Sequence, residues 1–358
     1  MTAPTAVHEA PPYGERRRRA HPALVVAVLL AMLIGGAVVG IRLLGAVGSA
    51  DDFPGPGQGE VIIEVEPGDS SSTIGATLTD AGVVASADAF VDAAVADDRS
   101  LGIQPGFFAM RLQMSAQGAL ERLLDPAARV EIEVAIPEGL RLDETVDRLA
   151  AASDLPRRDF VRALDNPGAL GLPPYAKGSA EGFLFPATYS FDPGTSAKQM
   201  LKTMIDRYQQ AADDVGFVEG AAAAGYTPHE ALTIASLVQA EVAVRDFGKA
   251  SRVIANRLDL GMTLGFDSTI NYALGIDDLT LVNDQLEVDS PYNTYVNPGL
   301  PPGPINSPGE AAMEAAIRPP AGDWLYFVAV APGSDETQFT ADYQEFLQFK
   351  DEFYANVP

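Results

Sequence analysis

The chain has 358 residues, no cysteine, three histidines and a formal net charge of −25 at pH 7. The missing cysteines exclude a disulfide framework and a thiolate metal site, and the negative charge disfavours nucleic acid as a partner. So few histidines disfavour a serine–histidine triad or a histidine metal centre, and carboxylates must carry most of the acid–base chemistry.

The N-terminal part of the sequence predicts a single-pass membrane anchor. Four arginines at 16–19 precede an uncharged apolar run from Ala23 to Ile41, and a helix of that length spans about 28 Å, enough to cross a bilayer core. Positive charge before the run and Asp51-Asp52 after it place the N-terminus in the cytoplasm. A cleaved signal peptide is the alternative, because the small residues at 48–50 offer a cleavage site, although its apolar core is normally only about 7–15 residues long. Either way, the rest of the chain is expected outside the cytoplasm.

A strand–turn–helix pattern then occurs twice. The β-branched run Val61–Val65 leads through a Pro-Gly turn into a helical stretch that reaches Val83. The similar run Val130–Val134 leads through another turn into a helix that includes Leu149. Either run alone could be an exposed strand, but the recurrence favours a duplicated accessory region of small α/β modules.

The remaining sequence predicts a helical region that ends in loops and a strand. The loop-rich stretch 262–310 contains interleaved tyrosines and asparagines, which supply stacking faces and amide hydrogen bonds for a sugar ring. A proline-stiffened surface loop is the alternative. The other predicted elements are an aromatic extended segment at Glu181–Tyr189, helices at Ser196–Val215 and Phe247–Leu260, and a buried terminal strand at Trp324–Val330.

The most informative element is a helix that begins at Thr227 and carries Glu241 near its C-terminus. Thr227, Pro228 and Glu230 form an N-cap, a first-turn proline and a capping box. Glu241 continues the apolar stripe of this helix, so partial burial and the negative end of the helix dipole are both expected to raise its pKa. A carboxyl that is protonated near neutral pH can act as a general acid. The alternative is a glutamate at the helix edge whose head reaches solvent.

A series of short motifs extends through the chain. In order, they are IPEG at 136–139, EGFLFPATY at 181–189, IASLVQAE at 234–241, NRL at 256–258, GMTL at 261–264, DSTINYA at 267–273, YNTY at 292–295, GLPPGPI at 299–305 and SPG at 307–309. Each motif alone is weak. The ordered series resembles the endolytic murein (lytic) transglycosylases of the MltG or YceG-like type, over roughly residues 60–350.

The resemblance implies an α+β fold with a transmembrane helix, small lysin-motif-like α/β modules and a mixed α/β catalytic domain. The lysin-motif-like modules fit the strand–turn–helix pattern that occurs twice in the sequence. The expected segments are a cytoplasmic tail at 1–22, a transmembrane helix at 23–45, a linker at 46–59, a lysin-motif-like module at 60–128 and a catalytic region at 129–358, which includes a second small α/β subdomain at about 129–155.

The resemblance also implies a carbon–oxygen lyase that cleaves nascent glycan at the MurNAc-β-1,4-GlcNAc bond, leaves a 1,6-anhydro-MurNAc end and terminates strand elongation. Its expected partners are peptidoglycan strands and cell-wall synthases (penicillin-binding proteins) at the cell membrane, without metal or cofactor. Glu241 matches the catalytic glutamate of the family. One carboxyl suffices because the C6 hydroxyl of the sugar is the nucleophile, whereas hydrolytic glycosidases usually need two. The candidate substrate-binding residues are Glu181, Asp267, Thr269, Tyr292, Asn293, Tyr295 and Asn306, of which Glu181 and Asp267 are expected to orient substrate or support the fold.

Two other functions remain open at this point. The chain could be a non-catalytic peptidoglycan-binding anchor that recruits synthases, or a muramidase that produces reducing ends. Two departures from the family bear on activity. Relatives often have histidine where this chain has Phe346, and many relatives carry an acid at the position of Gln239. An acid there is then not obligatory, or the enzyme is weaker.

Overall fold

The computed structural model describes residues 51–278, 281–331 and 333–356. The predicted anchor at Ala23–Ile41 lies outside these residues, as does the cytoplasmic tail. Among the helices in the described ranges, none combines the length and apolar character needed to cross a bilayer. The contacts divide the chain into two compact units, with the division between Arg129 and Val130.

The first unit is built on an antiparallel pair of strands, in which Ile63 pairs with Phe108. Serine side chains begin its helices: Ser70 and Ser115 each accept a backbone N–H three residues later, which satisfies a donor that the first helical turn leaves free. The buried core includes Leu78 and Phe90. In chain order the elements are β1 (Pro56–Val65), α1 (Ser71–Asp80), α2 (Ala87–Ala96), β2 (Gly106–Met114) and α3 (Ala116–Leu124).

The second unit begins with a strand whose partner lies far along the chain. Ile132 pairs with Phe191 in an antiparallel sheet, and Leu149, Phe160 and Met200 from the neighbouring helices fill the core beside it. Both predicted runs form a strand that leads into a helix. The second run belongs to the larger unit through the pairing of Ile132 with Phe191, and a duplication of the two runs stays a prediction. These elements are β3 (Ile132–Ile136), α4 (Leu142–Ser153), α5 (Arg157–Leu164), β4 (Ala187–Phe191) and α6 (Ala197–Val215).

One helix forms the centre of the second unit. Every residue of α8 (Pro228–Glu241) from Ala231 to Val238 is buried, so the helix is enclosed on all sides rather than packed by a single apolar stripe. Its start is capped as predicted, since Thr227 Oγ1 accepts the Glu230 N–H and the Glu230 carboxylate accepts the Thr227 N–H. The surrounding helices are α7 (Phe217–Ala223), α9 (Phe247–Asp259), α10 (Asp267–Leu274) and α12 (Glu310–Ile317), while the short α11 (Asn283–Leu286) lies in the chain between α10 and α12.

The C-terminal segment differs from its prediction. The expected buried terminal strand is β5 (Tyr326–Ala329), which pairs with β6 (Thr337–Thr340) and is only partly buried. The chain then continues into α13 (Tyr343–Ala355). The strand has an apolar sequence without being a core strand, because its aromatic side chains pack against the helix that follows. The ring of Tyr326, for example, stacks on that of Phe346. With three two-stranded antiparallel sheets among mostly helical elements, the described residues have an α+β architecture.

Candidate active site

Glu241 is the last residue of α8, and the chain leaves the helix at Val242 in an extended conformation. Its carboxyl is partly buried, and the Ser268 hydroxyl donates a hydrogen bond of 2.5 Å to Glu241 Oε1. Burial, the largest effect, raises the pKa of Glu241 to about 7, and the negative charge of Asp267 raises it further. The Ser268 hydrogen bond and the positive charge of Arg257 act in the opposite direction. The carboxyl is thus balanced between its protonated and ionised forms near neutral pH.

Arg257 supplies the positive charge that acts on Glu241. Its guanidinium donates to the carbonyl oxygens of Leu325 at 2.6 Å and Leu264 at 2.5 Å, and it lies 5.3 Å from the centre of the Tyr326 ring. Because the side chain is largely buried and held by two carbonyls, its charge is fixed in position. Such a charge stabilises the ionised form of the Glu241 carboxyl.

The start of α10 places a hydroxyl and a second acid beside Glu241. Asp267 begins the helix and accepts a hydrogen bond from the Tyr295 hydroxyl, while Ser268 is the next residue. Thr269 is fully buried, and its hydroxyl bonds to Phe266 O and to Thr294 Oγ1. Asp267 and Tyr295 therefore lie next to Glu241, whereas the buried Thr269 holds the start of α10 in place through its hydrogen bonds.

The cavity next to this acid, here called the first cavity, has a volume of about 300 Å³. Ser268 lines it, together with two asparagines, Asn271 and Asn306. Each of these asparagines uses its amide N–H₂ on a backbone carbonyl, and each has a side-chain oxygen that is buried without a hydrogen-bond partner among the described residues. An unpaired buried amide oxygen costs about 1–3 kcal/mol, so both oxygens fit a ligand that donates hydrogen bonds. Sugar hydroxyls and N-acetyl N–H groups are such donors.

Gln239 connects the first cavity to the loop that carries Asn306. Its Oε1 accepts the Gly309 N–H at 3.0 Å, and its side chain lines the cavity. The loop is held on its other side by backbone hydrogen bonds that join Gly139 to Ser307 and Ser307 to Leu140. The IPEG and SPG motifs are therefore neighbours in space, and they position Asn306 beside α8.

A second cavity, of about 450 Å³, contains Glu181 and shares Arg141 with the first cavity. Glu181 is only 7% exposed and accepts hydrogen bonds from the Leu142 N–H at the start of α4 and from the Tyr272 hydroxyl at 3.2 Å. Burial raises the pKa of Glu181 to about 7. The ring of Tyr292 lies 4.8 Å from that of Tyr272.

Asn293 has a supporting position. It is fully buried, its amide donates to Leu286 O and Val288 O, and its oxygen accepts the Tyr295 N–H. Both ends of this side chain, like the hydroxyl of Thr269, are thus engaged by the protein itself. Substrate binding by these two residues stays a prediction.

His229 lies away from this site. It belongs to the first turn of α8, and Glu241 is the last residue of that helix, so about 18 Å of helix axis separates them. The only histidine outside the N-terminal 21 residues is therefore not a partner of Glu241.

Sequence reasoning missed four residues of the site: Ser268, Arg257, Asn271 and Arg141. Ser268 and Asn271 lie within the DSTINYA motif, so their placement beside a predicted acid was a usable signal. Arg257 lies within the NRL motif, but the motif gave no indication of its role, which depends on the carbonyls of Leu264 and Leu325.

Two named bacterial proteins match most of this chain. The chain is 30% identical over 312 residues to an endolytic murein transglycosylase of Bacillus subtilis, which covers 83% of this chain and 85% of that protein. It is also 30% identical over 300 residues to an endolytic murein transglycosylase of Streptococcus pneumoniae, covering 75% of this chain and 54% of that protein.

A solved structure and a family-level match lead to the same assignment. The crystal structure of a putative YceG-like protein from Listeria monocytogenes superposes with a TM-score of 0.55 at 28% identity, covering 81% of this chain and 98% of that one. The sequence model of the YceG-like family matches residues 63–352, which include the first and second cavities and Glu241. The chain therefore belongs to the YceG-like family.

Proposed function

We propose that this protein is an endolytic lytic transglycosylase that cleaves peptidoglycan glycan strands, with Glu241 as its catalytic acid and base. The observation that carries the proposal is a carboxyl with a pKa of about 7 beside a cavity that offers unpaired amide oxygens. Relatives named endolytic murein transglycosylases support the reaction class.

In the first step, protonated Glu241 donates its proton to the glycosidic oxygen between MurNAc and GlcNAc. The bond from C1 of MurNAc to that oxygen breaks, and GlcNAc leaves with the proton as a free hydroxyl. Positive charge develops at C1. Arg257 and Ser268 stabilise the Glu241 carboxylate that remains.

In the second step, the Glu241 carboxylate accepts the proton of the C6 hydroxyl while that oxygen bonds to C1. The product is a 1,6-anhydro ring, and Glu241 is protonated again, so no water is consumed. Because the nucleophile belongs to the sugar, one carboxyl serves both steps. Asp267 is engaged by the Tyr295 hydroxyl and is assigned an orienting role.

The substrate fits the first cavity in size and polarity. About 300 Å³ accommodates one hexosamine ring, and the oxygens of Asn271 and Asn306 accept hydrogen bonds from its hydroxyl or amide groups. Longer strands extend beyond this cavity, which is what internal cleavage of a polymer requires.

The proposal includes a place of action. The apolar run Ala23–Ile41 would tether the enzyme to the cell membrane with its catalytic region outside, where synthases extrude new strands. Cleavage there would end strand elongation. The β1–α1–α2–β2 arrangement of the first unit supports a lysin-motif-like glycan-binding module.

The test is digestion of uncrosslinked glycan strands by the full chain in detergent, with products identified by mass spectrometry. We expect anhydro-terminated fragments from the wild type and from Glu219→Gln, an exposed control on α7, and none from Glu241→Gln. Products with reducing ends would replace this proposal with a muramidase. Failure to cleave any strand would favour the non-catalytic anchor.

A further inference from the structure

The second cavity lies where it can bind a part of the substrate that takes no part in the reaction. We propose that it binds a primary ammonium group on a short alkyl chain, namely the free amine of the diamino acid in an uncrosslinked stem peptide. This inference rests on the proposed function, because it takes the peptide-bearing glycan strand as the ligand.

The second cavity lies within reach of a strand bound at Glu241. Tyr272, which lines the second cavity, follows Ser268 by four residues on α10, so the two side chains lie on the same face about 6 Å apart along the helix axis. Arg141 lines both cavities. A stem peptide begins on the lactyl group of muramic acid, and three extended residues reach about 10 Å. A strand whose scissile bond lies at Glu241 can therefore place its diamino acid in the second cavity.

The second cavity also contains acidic groups that can pair with a cation. The two arginines of the cavity wall are already paired, Arg141 with Asp277 at 2.7 Å and Arg157 with Asp147 at 2.6 Å. Glu181 also lines the cavity and has no cationic partner among the described residues, and the same holds for Asp143. Glu181 and Asp143 are therefore the acids of this cavity with which a bound cation can pair, and such a cation would favour the ionised form of Glu181.

The shape of the second cavity is a further argument. Val146, Val161 and Leu164 give the cavity an apolar wall, and the nearly buried Glu181 lines the same cavity as a hydrogen-bond acceptor. Methylene groups fit such a wall, and an ammonium group fits such an acceptor. Glu181 already accepts from Leu142 and Tyr272, yet two carboxylate oxygens have capacity for a further donor.

The functional consequence is selection of uncrosslinked strands. Cross-linking converts this amine to an amide, which removes its charge and enlarges the group. A neutral amide forms no ion pair with Glu181, so the binding free energy of the charge pair is lost and the carboxyl stays protonated. The cavity would therefore favour new glycan over cross-linked wall.

The experiment compares three matched substrates with the full chain in detergent. They are uncrosslinked strands with free amines, the same strands after acetylation of the amines, and strands stripped of their peptides. For the wild type we expect acetylation to lower kcat/KM at least about tenfold. Equal kcat/KM on the free and acetylated strands would overturn the inference and leave the proposed function intact.

Two variants test the cavity itself. Glu181→Gln should cleave free and acetylated strands at equal rates. Val161→Trp fills the mouth of the cavity and should likewise abolish the preference, even if the glutamine variant folds poorly. Val218→Trp is the matched control, because Val218 on α7 is 41% exposed and Val161 is 40% exposed. A preference that persists in folded Val161→Trp would contradict the assignment.

Direct binding separates the two proposals. Calorimetric titration of Glu241→Gln with a free stem tripeptide should show binding that acetylation of its amine weakens at least about tenfold. This result does not depend on cleavage. Binding only of oligomers that contain de-N-acetylated glucosamine would identify a sugar amine instead and overturn the peptide assignment.

Discussion

Ser268 Oγ and Glu241 Oε1 are joined by a hydrogen bond of 2.5 Å between the first turn of α10 and the last residue of α8. The bond engages one carboxyl oxygen and holds the acid against the start of α10. It also favours the ionised form of Glu241, whereas burial favours the protonated form. The serine therefore sets both the orientation of the acid and the pH range in which it works.

Replacing Ser268 with alanine should shift the activity profile toward alkaline pH. The substitution removes a hydrogen bond that lowers the pKa of Glu241, so the carboxyl stays protonated to higher pH. We also expect kcat to fall about tenfold because the carboxyl loses a fixed orientation. The measurement is kcat/KM for anhydro-product formation between pH 5 and 9.

Ser190→Ala is the control, since Ser190 is an exposed residue of β4 with no side-chain hydrogen bond among the described residues. A lower kcat with an unmoved alkaline limb would show that Ser268 only supports the fold.

The sequence predicted the acid but not the groups that tune it. The capping box and the apolar stripe placed Glu241 at the end of a helix, because both signals are local. The burial of α8 on all sides and the fixing of Arg257 by Leu325 O depend on tertiary packing, which no local pattern encodes. The same limit applies to the second strand–turn–helix run, since a β-branched run specifies a strand but not its pairing partner, which for β3 is β4.

Replacing Arg257 with methionine should impair both stability and activity. The change leaves the carbonyls of Leu325 and Leu264 without their donor, which costs about 2–4 kcal/mol of the free energy of unfolding. It also removes a positive charge that lowers the pKa of Glu241, so the alkaline limb of kcat/KM should move upward. Thermal unfolding by circular dichroism and the pH profile measure the two effects, and an unchanged profile in the folded variant would exclude electrostatic coupling.

The stability of the protein should fall as the pH rises from about 4.5 to 7. Folding raises the pKa of Glu181 from an ordinary 4.5 to about 7, so the folded protein binds more protons than the unfolded chain in this range. The sign of this linkage makes acid stabilising, by at most about 3 kcal/mol for such a shift. Melting temperatures measured across this range should decline less steeply in Glu181→Gln, and should decline as in the wild type in the exposed control Glu219→Gln. The same decline in Glu181→Gln as in the wild type would show that Glu181 is not desolvated.

Replacing Asn306 with alanine should weaken substrate binding. Its amide donates to Ser236 O at 2.9 Å, while its unpaired oxygen lines the first cavity. Loss of one hydrogen bond to the sugar should reduce kcat/KM about tenfold, mainly through KM. Steady-state kinetics on strands of defined length test this, with Asn166→Ala as an exposed control. A fall in kcat at constant KM would show that Asn306 interacts with the sugar only in the transition state, which would contradict the predicted role in substrate binding.

Replacing Gln239 with glutamate should change activity by less than about threefold, since residues two apart on a helix do not face each other. The glutamate introduces an acid at this position and keeps an oxygen that can accept the Gly309 N–H. Gln239→Leu has no such acceptor, so it should release the loop that carries Asn306 and lower kcat/KM at least about tenfold. Steady-state kinetics of both variants decide whether residue 239 holds the loop in place or serves as a second catalytic acid. A large gain of activity in the glutamate variant would show that this position contributes an acid to the reaction.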